Sequence, residues 1–341
     1  MKKKLKVAVL MGGKSAEHEI SLVSGREVVK NLDPKRYDVL PIIVSSDGIT
    51  WQIGERKTFL LNSPVTKQVK SQKSKVKSLV TRDHSSVIKN HKVELVFIAM
   101  HGPNGEDGTI QGLLELIGVT YTGSGVLASA LGMDKISSRK LFTHVGLKVP
   151  KHLVLTKSDH HRVVWQKFKL PVFVKPHNQG SSVGTTKVNK KQHLKKALNL
   201  AFSFSPLTLV EEFIDGIEIT CPILGNDRPQ ALPLVEIVPK KAYFDYEAKY
   251  NEKLCDEIVP ARINKPLTKK AQDAALTAYK VLECRGFGRV DMIAKGKDVY
   301  VLEVNTIPGL TPVSLFPKSA ASIGISYSKL LDKIVMFALQ R

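Results

Sequence analysis

A chain of 341 residues is too long for one small core and, at ~100–200 residues per domain, should fold as two or three. Its 43% hydrophobic and 6% aromatic content is that of a globular protein, and its longest apolar run, around Val93 to Met100, falls far short of the ~18 residues of a membrane span, so membrane insertion is not expected. With 52 Lys+Arg against 31 Asp+Glu the formal charge is +21, which fits either a nucleic-acid binder or an enzyme that handles phosphate groups.

Met1-Lys2-Lys3-Lys4 looks like the start of a signal peptide. The apolar segment behind it breaks after Met11 at Gly12-Gly13-Lys14 without a clear small-residue cleavage site, so Leu5–Met11 reads as a first strand. A Gly12-Gly13 turn, a helical pattern from about Ala16 to Leu32 and a strand from Tyr37 to Val44 follow. Gly13-Lys14-Ser15 does not complete a Walker A loop, because Ala8 stands where that pattern needs its first glycine. Glu17 lies at the expected helix start, where a carboxylate need do no more than favour the helix dipole. Between Ser63 and Lys92 eight basic residues face the single acid Asp83 with no aromatic on which a base could stack, the pattern of a solvated basic loop or exposed hairpin. Val93–Met100 then reads as a buried strand, His101–Gly108 as a polar loop and Thr109–Leu116 as a helix, which together indicate a parallel α/β domain over residues 1–132. Gly123-Ser124-Gly125-Val126-Leu127-Ala128 matches the dinucleotide fingerprint but lacks the ribose-binding acid, so a tight turn before a packed helix explains it.

Residues 133–206 alternate lysine-rich helical pieces with two short strands, Val172–Lys175 and Thr185–Val188, and form a small lid-like domain. Between those strands runs Pro176-His177-Asn178-Gln179-Gly180-Ser181-Ser182-Val183-Gly184. Its small residues let several N–H groups converge on phosphate oxygens while Lys175 supplies charge, although a plain hairpin turn has the same composition. Residues 207–341 make a third domain with several strands, a helix from about Thr268 to Leu282 and a terminal amphipathic helix from Tyr327. Three cysteines, Cys221, Cys255 and Cys284, without metal-ligand spacing, point to a reducing compartment.

Two pieces of this third domain carry chemistry. Arg289-Val290-Asp291-Met292-Ile293 and Val299–Asn305, joined through Lys295-Gly296-Lys297, should form a hairpin. Side-chain alternation puts Arg289 and Asp291 on one face of the first strand, and Glu303 and Asn305 on one face of the second. Pairing Ala294 with Asp298 sets Arg289 opposite Glu303, with Asp291 on the diagonal. The four groups offer oxygen ligands of the kind Mg²⁺ prefers and an arginine for an adjacent anion, but a solvated polar face would look the same. Tyr243-Phe244-Asp245-Tyr246-Glu247-Ala248-Lys249-Tyr250 mixes aromatics and charges without periodicity, as suits either a loop that folds over a site or an ordinary surface loop.

Taken in order, from Gly12-Gly13 through Ser314-Leu315, these pieces resemble the D-alanine:D-alanine ligase family of the ATP-grasp superfamily over nearly the whole chain. The resemblance implies an N-terminal α/β domain, then central lid and C-terminal domains that hold ATP between antiparallel sheets, with a mobile loop at about 240–256. It implies that Lys135 and Lys175 hold ATP phosphates together with Ser181, Ser182 and Lys249, that Glu211 and the Ile214 backbone hold the adenine, and that Glu218 holds the ribose. Asp291, Glu303 and Asn305 would bind two Mg²⁺ ions, or Mn²⁺ in their place. Glu17 would face the first ammonium, His101 the first carboxylate, and Ser314-Leu315 the second carboxylate, while Arg289 stabilises the oxyanion. Tyr250, Ser181 and Glu17 resemble the family's hydrogen-bonded set that secures the mobile loop. His177-Asn178-Gln179 departs from the Arg-Glu pair of many members, which bears on lid contacts. The resemblance further implies a cytoplasmic homodimer that takes D-alanine and ATP, makes a peptidoglycan precursor and binds no nucleic acid. A D-alanine:D-lactate ligase is the neighbouring alternative, against which Tyr250 argues; a basic, non-catalytic nucleic-acid binder is the other.

Overall fold

The computed structural model describes residues 3–61, 79–239 and 255–340. They divide into two units, Met1–Gly123 with Ile307–Arg341, and Ser124–Thr306. The first unit is built on a sheet of β1 (Leu5–Gly12), β2 (Tyr37–Val44), β3 (Trp51–Ile53), β4 (Leu79–Thr81), β5 (Leu95–Ile98) and β6 (Thr120–Tyr121), in the order β4-β3-β2-β1-β5-β6. β1 runs parallel to β2 and β5, and β5 parallel to β6, while β3 and β4 add antiparallel at one edge. Val7 to Met11 and Leu95 to Ile98 are wholly buried, as continuous apolar runs are when both faces of a parallel sheet are covered.

The Gly12-Gly13 turn has φ of +86° and +97°, a region that side chains resist. It delivers the chain to the helix His18–Asn31, which begins two residues later than the apolar pattern suggested; Glu17 occupies the N-cap position without a side-chain cap bond, and its N–H donates to the Ser15 hydroxyl at 3.0 Å. At the other end of this unit the helix Tyr327–Ala338 turns Asp332 toward β2, where the carboxylate accepts hydrogen bonds from Arg36 and the Tyr37 hydroxyl.

The second unit holds two antiparallel sheets. One contains β7 (His152–Leu155), β8 (Val172–Pro176), β9 (Thr186–Val188) and β10 (Thr208–Glu212), in the order β7-β10-β8-β9. Its apolar face, with Leu155, Val172, Val174 and Val210, packs on Leu194, Ala197, Leu198 and Ala201 of the helix Leu194–Phe202, spaced as one helical stripe. The other contains β11 (Ile217–Leu224), β12 (Gln230–Ala231), β13 (Val235–Pro239), β14 (Cys255–Ile258), β15 (Phe287–Lys295) and β16 (Asp298–Asn305), in the order β14-β13-β11-β15-β16 with β12 on β11. Its helix, Lys265–Val281, starts three residues before the predicted Thr268. Asn264 caps it by accepting from Leu267 N–H at 2.9 Å, and a proline in the first turn needs no helical donor. Ala271, Ala275, Ala278 and Tyr279 form its buried stripe against Ile219, Val290 and Val301. Among the described residues no helix is long and apolar enough to cross a membrane.

Candidate active site

The polar hairpin forms, in a different register from the predicted one. Lys295, not Ala294, pairs with Asp298 around a two-residue turn in which Gly296 has φ +59°. Continued without interruption, that register would turn Glu303 and Asn305 to the face opposite Asp291. A bulge between Asp291 and Met292 skips Leu302 and restores the alternation, so Arg289 stands opposite Asn305 and Asp291 opposite Glu303. The four groups therefore converge as expected, by a route that depends on one extra residue.

Arg289 donates to Asp291 twice, Nε to Oδ1 and Nη2 to Oδ2, both at 2.8 Å, and Thr220 on the neighbouring β11 adds a 2.6 Å bond from its hydroxyl to Oδ1. Lys135 approaches Glu303 Oε2 at 3.0 Å and donates to the Gln179 carbonyl at 2.7 Å. Its placement is local in origin. Asp134 caps the helix Lys135–His144 by accepting from the N–H groups of Ile136 and Ser137, and the Lys135 N–H reaches the His177 carbonyl at 2.9 Å, tying the helix start to the loop after β8. Two carboxylates and an amide on facing strand positions are hard oxygen donors suited to Mg²⁺. Among the described residues no group of three His, Cys, Asp or Glu could hold a metal.

The same unit contains an open cleft of about 830 Å³, a volume that includes its mouth. The four-stranded sheet and the loop after β8 contribute Phe173, Lys175, Gln179, Ser182, Glu211 and Glu212 to its walls. The six-stranded sheet contributes Glu218, Asp291, Ile293, Leu302 and Glu303, with Lys135, Pro150, Thr185 and Ile214 completing the lining. Ser181 and Ser182 adopt φ of +46° and +58°, so the loop takes the left-handed turn that its small residues permit. Lys175 on β8 and Glu211 on β10 form an ion pair, and Arg139 Nη2 lies 2.5 Å from the second Glu211 oxygen. Burial by itself would raise the Glu211 carboxyl, but Arg139 and Lys175 together outweigh it and hold the group at about 2. Burial pushes the Lys175 ammonium down, against the pull of Glu211.

In the first unit Glu17 and His101 are both buried. Gly102, at φ +74°, lets the His101 loop press on Glu17: a Cβ there would sit 2.6 Å from Glu17 Oε2. Glu106 closes the same loop, accepting from Gly102 N–H at 2.9 Å. The His101 ring donates Nδ1–H to the Ile307 carbonyl at 3.0 Å and meets the Ser24 hydroxyl through Nε2 at 2.8 Å, with Glu106 3.8 Å away. Burial opposes its charge, but Glu106 and Glu17 raise its pKa. Ser314 is the N-cap residue of the helix Leu315–Ser322, whose first-turn N–H groups have no helical acceptor, the setting in which a carboxylate is bound. Lys249 and Tyr250 lie outside the described residues.

Sequence reasoning overlooked three of these groups. Arg139 could have been found from its i+4 spacing to Lys135, which puts both on one helix face. Thr220 becomes visible only once β11 is paired with β15, and Glu106 carried no signal beyond its place in the polar loop.

Two antiparallel sheets that wall a cleft with lysines on one side and a carboxylate hairpin on the other define an ATP-grasp enzyme. The family model described as the D-ala D-ala ligase N-terminus matches residues 6–124, and the one described as its C-terminus matches 141–336. The chain is 42% identical over 339 residues to the D-alanine--D-alanine ligase of Desulforudis audaxviator, covering 98% of this chain and 99% of that protein. Among solved structures it resembles the VanG D-Ala:D-Ser ligase from Enterococcus faecalis (TM-score 0.84, 36% identity, 98% and 100% of the two chains). It also resembles the D-alanine--D-alanine ligase from Bacillus anthracis complexed with ATP (TM-score 0.78, 33% identity, 99% and 98%). The chain belongs to the D-alanine–D-alanine ligase family.

Proposed function

We propose that this protein joins two D-alanine molecules into D-alanyl-D-alanine through a D-alanyl phosphate, consuming one ATP and supplying a peptidoglycan precursor. The observation that carries the reading is the Asp291–Glu303 pair facing the same cleft as Lys135 and Lys175. A carboxylate does not react with an amine, so the first D-alanine is activated by phosphoryl transfer, after which the second amine displaces phosphate. Lys135 and Lys175 neutralise phosphate charge with Ser181, Ser182 and Lys249, Glu211 and the Ile214 backbone hold the adenine, and Glu218 holds the ribose. Asp291, Glu303 and Asn305 would hold Mg²⁺, which neutralises charge as the phosphoryl group moves.

Glu17 takes the ammonium of the first D-alanine and His101 its carboxylate, while Ser314 and the Leu315 N–H take the carboxylate of the second. Arg289 stabilises the tetrahedral oxyanion. Tyr250 belongs to the loop that excludes water, which the acyl phosphate requires. The enzyme works as a homodimer in the cytoplasm. The D-serine ligase neighbour gives a second reading of the acceptor, in which D-serine supplies the attacking amine. Phosphate release from ATP with D-alanine alone, and none with L-alanine, is the expected result. Release with D-alanine only when D-serine is added supports the second reading, and release with neither refutes both.

A further inference from the structure

Arg139 is unusual among the charged groups of the nucleotide-binding unit. Its side chain is 0% exposed, it does not line the cleft, and among the described residues none of its three guanidinium nitrogens makes a hydrogen bond. Among the described residues its ion-pair partner is Glu211, whose Oε2 lies 2.5 Å from Nη2. A buried guanidinium loses its hydration and normally recovers it in fork-shaped hydrogen bonds, so one held for charge alone needs a reason.

The reason is visible in what stands on the other side of the carboxylate. Glu211 Oε1 is paired with Lys175, which does line the cleft, and the Glu211 side chain lines it too. The remaining titratable register neighbour, His152 on β7, donates its Nδ1–H to the Pro150 carbonyl at 3.1 Å, and the Glu303 charge favours the charged form of Lys175. Glu211 thus has two counter-ions: a lysine that a phosphate chain in the cleft could draw away, and an arginine that no ligand can reach. When the lysine turns to phosphate, only Arg139 is left to keep the buried carboxylate charged.

We infer that Arg139 is a positioning residue for nucleotide choice, holding Glu211 ionised from behind so that the site accepts a purine with a 6-amino group and refuses one with a 6-oxo group. The inference rests on the reading that Glu211 meets the adenine. An ionised carboxylate can only accept hydrogen bonds. It therefore receives the amino N–H of adenine and sets acceptor against acceptor with a 6-oxo purine, whereas a protonated carboxyl could donate to the oxo group. Lone buried carboxyls take up protons readily, and Arg139 prevents this.

The test compares ATP with ITP, whose base carries a 6-oxo group. The ratio of kcat/KM values should be high and flat from pH 6 to 9 in the native enzyme. In Arg139→Met it should fall by about tenfold or more, further at pH 6 than at pH 9, through a higher KM for ATP with kcat changed less than about twofold. Arg139→Lys, which restores the charge, should recover most of the ratio. Glu211→Gln separates the premises, since an amide can turn either a donor or an acceptor to the base. If Glu211→Gln leaves the ratio unchanged, the adenine reading of Glu211 fails. If Glu211→Gln lowers the ratio and a folded Arg139→Met does not, the inference about Arg139 is overturned. Should Arg139→Met melt below assay temperature, the native pH profile and Arg139→Lys decide: a native ratio that drifts toward ITP as pH falls, or a lysine variant that has lost it, refutes the role.

Discussion

Replacing the two hairpin carboxylates one at a time should separate their mechanical roles from their chemical one. Asp291 and Arg289 have side chains only 12% and 11% exposed, and the pair is joined by two charge-assisted bonds plus one from Thr220. Asp291→Asn keeps the shape, but its amide Nδ2 meets the Arg289 Nη2 donor to donor and removes the Asp291 charge from the pair. The low end of the ~3–5 kcal/mol for breaking a buried pair, about 3 kcal/mol, is appropriate. At ~2–4 °C per kcal/mol for a unit of this size, its melting temperature should drop by about 6–12 °C. Glu303 is 24% exposed and holds Lys135 through one contact at 3.0 Å, so Glu303→Gln should cost about 1 kcal/mol or less and a few degrees. Turnover behaves differently, because each change removes one unit of charge from the same proposed metal site. Both variants should lose on the order of 10² or more, about 2.7 kcal/mol of barrier, and need more Mg²⁺ for half-maximal rate. Thermal melts and phosphate release across a Mg²⁺ titration report the two effects separately. Near-normal turnover of Glu303→Gln at saturating Mg²⁺ would refute the metal reading, and equal melting losses would refute the account of Asp291 as the buried anchor.

Tyr250→Phe should lower dipeptide synthesis and raise the relative use of D-lactate, most below neutral pH where the amine is protonated and the hydroxyl is not; competition between the two acceptors over pH 6 to 9 reads it, and an unchanged product ratio makes Tyr250 a packing residue only. The Glu211 carboxyl is held at about 2 against an ordinary value near 4.5, so its ion pairs contribute on the order of 3 kcal/mol of stability that is full above about 4.5 and lost as pH falls toward 2. Glu211→Gln should accordingly melt well below the native protein at pH 7, with the gap closing through that window; a gap that stays constant as pH falls would contradict it.

How much of this was legible beforehand depended on whether the signal was local. β1, the Gly12-Gly13 turn and β2 were readable because hydrophobic runs and obligate glycine turns are properties of neighbouring residues. The convergence of Arg289, Asp291, Glu303 and Asn305 was also readable, since strand alternation fixes which side chains share a face. Their register was not, because the two-residue turn and the bulge at Leu302 offset one another, and neither can be deduced from alternation in one strand. Helix starts slipped by two or three residues at Glu17 and Asn264; the Asn264 side chain caps its helix, while Glu17 makes no side-chain cap bond. Arg139 stayed hidden for a different reason: its meaning lies in β10, about seventy residues on, and a basic residue in a lysine-rich helix looks like solvated surface.

One mass-spectrometric measurement bears most directly on the proposed reaction. The protein is incubated with ATP, Mg²⁺ and D-alanine labelled with ¹⁸O in both carboxylate oxygens, and the dipeptide and the released phosphate are read together. Attack of the first carboxylate on the γ-phosphate, followed by attack of the second amine on the acyl carbon, transfers one labelled oxygen to phosphate for each dipeptide formed. The account predicts D-alanyl-D-alanine with three labelled oxygens and one ¹⁸O in each phosphate. Dipeptide accompanied by unlabelled phosphate would contradict the acyl-phosphate route, and labelled phosphate without dipeptide would contradict D-alanine as the acceptor.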